Sequence, residues 1–140
     1  MASFRDFQEM SRELAKAGVS FEKNNPITTL MSNVETGDIR EDILNEKVMS
    51  AIIEIKVPVE RTEEIVRIIW DVEKRIKTQV VIGVGVRCDE EGEEKIVLPI
   101  LEKLGYNPQR AKTNIGLGRK VIRDLTNAAP VAEPKEMVNA

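Results

Sequence analysis

Two runs in which apolar and polar residues alternate, with one helical period between them, constrain this chain more than any other stretch. In "SAIIEIKVPVE", residues 50–60, Ile53, Ile55, Val57 and Val59 alternate with Glu54, Lys56 and Pro58. That period of two predicts a half-buried strand. Pro58 has no N–H to give a ladder, so it belongs at the strand end or on an edge. In "RTEEIVRIIWDVEKRIK", residues 61–77, Ile65, Ile69, Val72 and Ile76 recur at helical spacing, with acids in the first turn and bases in the last. This charge order suits the helix dipole. "TQVVIGVGVRC", residues 78–88, returns to alternation, with Val80, Ile82, Val84, Val86 and Cys88 on one face.

Strand, helix and strand make a βαβ unit. "DEEGEE", residues 89–94, then reads as a hairpin turn and "KIVLP" as a third strand ending at Pro99. The expected fold class is α+β, with a β-α-β-β, partly ferredoxin-like core over residues 49–98. A last ferredoxin-like strand has no clear counterpart in the sequence.

The flanks follow from capping and turn chemistry. Ser3 as N-cap, Asp6 at the reciprocal position and Gly18 as a left-handed stop bound a first helix. Its apolar stripe is Phe4, Phe7, Met10 or Ser11, and Leu14. Residues 22–38 read as a long turn-rich connection, and a short helix is expected from about Arg40 to Val48. "ILEKLGY" is a short helix closed by Gly105, and Asn107-Pro108 opens another. The expected organisation is one domain over 1–126. It divides into a helix and connection (1–38), the core (49–98) and C-terminal helices (99–126), and a flexible tail follows at 127–140.

The inventory of reactive groups is short. The 140 residues contain no histidine and one cysteine, Cys88. This excludes an internal disulfide, Ser-His and Cys-His pairs and the commonest zinc ligand. Without histidine, Cys88 on an apolar strand face reads as a structural thiol, and Arg87 is its nearest source of activation. Neither catalysis nor a cofactor nor a metal site is expected. "DEEGEE" lacks calcium-loop spacing and reads as a solvated turn, or as the acidic side of a contact between copies. No run approaches 18 apolar residues and the N-terminus is charged, so a cytoplasmic protein without membrane contact is expected.

The net charge is −3 and the pI about 5.2, which argues against wholesale coating of nucleic acid. One segment departs from that balance. From Glu102 to Asp124 there are six bases and two acids, a local +4. On a helix from Pro108 to Leu125, Ala111, Ile115, Gly118, Ile122 and Leu125 share an apolar arc of about 80°. Lys112, Gly116, Arg119, Lys120 and Arg123 share a flank about 100° wide. Such a stripe can meet phosphates by salt-sensitive, sequence-independent contacts, or an acidic protein surface; the plainer reading is a solvated basic face.

Other motif readings are weaker. "TNIGLGRK" lacks P-loop spacing and has Val121 where the hydroxyl would stand. "GVGVRC" lacks the third dinucleotide-loop glycine. A helix-turn-helix across residues 97–115 is cut short by Pro99. Gly83 and Gly85 leave a bare backbone strip on which a helix or another subunit is expected to pack. Trp70 reads as core or interface.

The leading expectation is a small non-catalytic binding or accessory protein, homo-oligomeric, whose basic helix contacts nucleic acid backbone or an acidic protein surface. The alternative is a structural or assembly subunit of a larger complex or virus particle, with Phe4, Phe7, Gly83 and Gly85 as interface residues. A third reading is an anion- or nucleotide-sensing domain with its cleft near Gly116.

Overall fold

The structure is a computed structural model that describes residues 1–86, 89–91 and 94–107. In chain order the elements are β1 (Ala2–Ser3), α1 (Phe4–Lys16), β2 (Ser20–Phe21), α2 (Pro26–Thr29), β3 (Met31–Asn33), β4 (Asp38–Ile39), β5 (Lys47–Val48), β6 (Ile55–Lys56), α3 (Thr62–Glu73) and α4 (Val97–Lys103). Short 3-10 turns lie at Glu41–Ile43 and Val59–Arg61. Helices and small sheets mix, so the fold is α+β.

The first helix is built as its caps dictate. Ser3 Oγ accepts from the Asp6 N–H at 3.2 Å, which satisfies one orphan donor of the first turn. At the other end the Gly18 N–H reaches the Ala15 carbonyl at 2.8 Å, and the Val19 N–H reaches the Leu14 carbonyl at 3.3 Å. That bond pair is a Schellman motif. It needs the left-handed φ of +69° at Gly18, which other residues adopt at a cost. The end of α4 repeats the bond pair through Gly105 and Tyr106, as the expected stop at Gly105 required.

Two apolar clusters hold the elements together. The larger gathers Phe4, Phe7, Met10 and Leu14 of α1 with Phe21, Ile27, Met31, Ile39, Ile65 and Val72. The smaller joins Val66 on another side of α3 to Val97, Leu101, Leu104 and Tyr106. Helix α3 therefore sits between them and buries residues on two sides. Leu14 and Val72 are almost completely enclosed, so truncating Leu14 to alanine costs about 2–5 kcal/mol.

The βαββ sheet does not form among the described residues. Three separate two-stranded antiparallel ladders take its place: β1 with β5, β2 with β6, and β3 with β4. Over 51–60 the burial does alternate, odd residues half-buried and even ones exposed. Yet only Ile55 and Lys56 enter a ladder, opposite Phe21 and Ser20. Pro58 sits past the strand end and leads into the 3-10 turn. Residues 80–86 are in no ladder among the described residues. The period of two reported which side faces the core; it carried no information about a pairing partner.

"KIVLP" is also corrected. It starts α4, because the Glu94 carboxylate accepts from the backbone N–H groups of Ile96, Val97 and Leu98 at 2.9, 2.7 and 2.7 Å. Pro99 falls in the first turn, where a missing N–H costs nothing. The helix expected over 40–48 is replaced by the turn at 41–43 and by β5, whose Lys47 and Val48 pair with Ser3 and Ala2. Helix α3 ends at Glu73, short of the expected residue 77.

Candidate functional site

The basic stripe of Lys112, Gly116, Arg119, Lys120 and Arg123 lies outside the described residues. So do Cys88, Arg87 and the segment 127–140.

Phe4 and Phe7 are not a surface stripe. They are 6% and 8% exposed, with ring centroids 5.7 Å apart and planes tilted by 50°. Helix α1 packs against α3 and β4, and both rings lie in the larger apolar cluster. An amphipathic pattern identifies the side that seeks cover, and here the chain supplies the cover itself.

The hairpin β3–β4 is latched to the same helix. Ser11, fully enclosed, donates its hydroxyl to the Gly37 carbonyl at 2.6 Å. Gln8 Oε1 accepts from the Ile39 N–H at 3.0 Å, and Arg12 pairs with Asp38 at 2.6 Å. The hydrogen bond from Thr36, then that from Arg12, hold the Asp38 carboxyl below its ordinary pKa. This cluster is spent on holding the fold together.

The run from Lys77 to Val86 has a different character. It leaves α3 and is pinned at its start, where Thr78 Oγ1 donates to Asp6 Oδ2 at 2.5 Å. Ile76 and Val80 pack on the larger cluster and Ile82 on the smaller one. The same alternation then continues beyond the core. Val84 is 50% exposed and Val86 37%. Gly83 and Gly85 face open space, with nothing within 4 Å of the position a Cβ would take. The expected close packing of a helix on this glycine strip is thus not found among the described residues.

Residues 81–86 make no backbone hydrogen bond among the described residues. Among the described residues these six consecutive amides and carbonyls have no backbone partner, which leaves them to water or to another strand. No charged residue and no proline interrupts 79–86, although those are the usual means of blunting an open strand edge. Charge appears only at the ends. Exposed Lys77 precedes the run, and Asp89, Glu90 and Glu91 follow it. Lys95 bridges Asp89 and Glu91 at 2.7 Å each.

Among the described residues no group of three or more His, Cys, Asp or Glu side chains is placed to hold a metal ion. No described helix is long and apolar enough to cross a membrane. What the run offers is an edge for main-chain pairing, with apolar side chains on one face. Sequence reading singled out its glycines but assigned the valines to a paired strand, so it missed that Val84 and Val86 are uncovered. No family model matches the sequence, no curated protein matches it, and no solved structure matches the fold.

Proposed function

We propose that this chain is a non-catalytic assembly protein that acts through contacts between subunits. One observation carries the reading: residues 81–86 lie in no helix or ladder among the described residues, and they leave Val84 and Val86 exposed. An edge of that kind gains main-chain hydrogen bonds and apolar cover when another strand is added. The composition supports the same class, since a chain without histidine lacks the commonest general base. Sedimentation equilibrium in a salt series tests it. A discrete oligomer that survives high salt is expected, and a monomer at every concentration overturns the reading.

A second reading rests on the local +4 between Glu102 and Asp124. In it Lys112, Arg119, Lys120 and Arg123 contact nucleic acid backbone or an acidic protein surface, with Gly116 allowing close approach. Fluorescence anisotropy of labelled DNA and RNA at rising salt tests this one. Binding that weakens steeply with salt and disappears in Arg119→Glu/Lys120→Glu supports it. No binding at low salt removes nucleic acid as the partner.

A further inference from the structure

We infer that residues 80–86 form an antiparallel two-stranded ribbon with the same residues of a second copy of this chain. The inference rests on the assembly reading above and specifies its partner and geometry.

Self-pairing is favoured by the order of charge along the run. Basic residues lead into it (Lys74, Arg75, Lys77), and beyond Arg87 the charges that lead out are acidic (Asp89, Glu90, Glu91). An antiparallel copy brings each basic end beside the partner's acidic end. A parallel copy would set like charges side by side, which destabilises cross-strand pairs. Lys77 and Glu90 are exposed and make no ion pair among the described residues, so both are available to a partner.

Apolar burial fixes the register. A twofold axis normal to the ribbon keeps the even-numbered residues of both strands on one face. With the axis at Gly83, Val80 lies opposite the partner's Val86 and Ile82 opposite its Val84. The first half of each run rests on its own apolar clusters, through Val80 and Ile82. The second half has no such support, and its Val84 and Val86 are exposed. Pairing therefore sets exposed Val84 and Val86 opposite the partner's half-buried Ile82 and Val80, and covers the apolar excess twice. Gly83 meets its own copy at the axis, and the open space around its Cβ position leaves room for a cysteine side chain there.

The test combines mass in solution with a position-specific cross-link, in full-length protein carrying Cys88→Ser. Wild-type protein is expected at twice the 15.8 kDa chain mass. Val84→Asp is expected to raise the dimer dissociation constant roughly tenfold or more. Gly83→Cys is expected to oxidise to a covalent dimer, because directly opposite Cα atoms lie about 4.5–5.5 Å apart, inside the disulfide range. Gly85→Cys is the control, its two copies being roughly 13 Å apart along the ribbon. Lys77→Glu is expected to weaken the dimer. If Val84→Asp disturbs the fold by circular dichroism, the cross-link comparison decides. An oligomer in which Gly83→Cys links no faster than Gly85→Cys overturns this strand pairing and leaves the assembly reading standing. A wild-type monomer at every concentration overturns both.

Discussion

The Ser11 hydroxyl and the Gly37 carbonyl meet at 2.6 Å in a site closed to solvent, and this bond fastens the β3–β4 hairpin to α1. Gly37 has φ of +74°, and a Cβ there would lie 2.3 Å from the Ser11 carbonyl oxygen. Gly37→Ala therefore meets a clash with backbone as well as a left-handed φ. The expected destabilisation is about 2–4 kcal/mol. Ser11→Ala removes the donor and leaves the buried carbonyl unpaired, at about 1–3 kcal/mol. Urea titration checks both, as a lower midpoint with an unchanged slope.

Phe4→Ala and Phe7→Ala are expected to act on stability and not on assembly. Both rings lie inside the larger cluster, so each truncation costs about 3–5 kcal/mol. The folded fraction should retain the oligomeric mass of wild type. A folded Phe7→Ala protein that has lost its oligomer would place the ring at a subunit contact and contradict its burial here.

Glu94 provides a third test. Its carboxylate receives three backbone N–H groups at the start of α4, and α4 supplies Val97 and Leu101 to the smaller cluster. Glu94→Ala is expected to cost about 0.5–2 kcal/mol, the range for losing a helix cap. Protease cleavage near residues 95–103 should rise before the global unfolding midpoint is reached, because α4 packs through the smaller cluster.

The elements that could be read from sequence are those whose signal is local. Ser3, Gly18 and the stripe from Phe4 to Leu14 define α1 within a single helix length, and the structure keeps its caps and its buried side. Gly105 likewise ends α4 by a bond pair only a few residues long. Burial over 51–60 was equally legible, since alternation states which side faces inward. Partners in space were not legible. Nothing near Ile55 specifies Phe21 as its neighbour, and nothing near Val48 specifies Ala2. "KIVLP" misled for a related reason: a β-branched run ending in proline fits a strand, but the Glu94 carboxylate turns it into a capped helix. At the candidate site the alternation of Val80 to Val86 was visible, while the place where core support stops, after Ile82, depends on how far the two clusters extend.

The pH dependence of stability follows from the surface ion pairs. Hydrogen bonds from Lys16, Lys56 and Arg67 hold Glu13, Glu22 and Glu63 below their ordinary pKa. The bond from Thr36 does most to lower Asp38, that from Arg40 lowers Asp42, and that from Lys74 lowers Asp71. A carboxylate depressed in the folded state binds protons more readily after unfolding. Its contribution is complete above the unfolded pKa, about 4 for these groups, and is lost as pH falls through the folded value. Tyr106 has the opposite displacement: burial, reinforced by Glu73, raises its pKa, so its contribution holds below the unfolded value of about 10 and is lost as pH climbs past the folded one. With no histidine in the chain, no imidazole titrates between these limits. Urea midpoints are therefore expected to stay level from about pH 5 to about pH 9 and to fall on both sides. Added salt should flatten the acid limb, because the pairs are exposed and screened. The alkaline limb should persist in salt and disappear in Tyr106→Phe, which keeps the ring in the smaller cluster and removes the titrating hydroxyl.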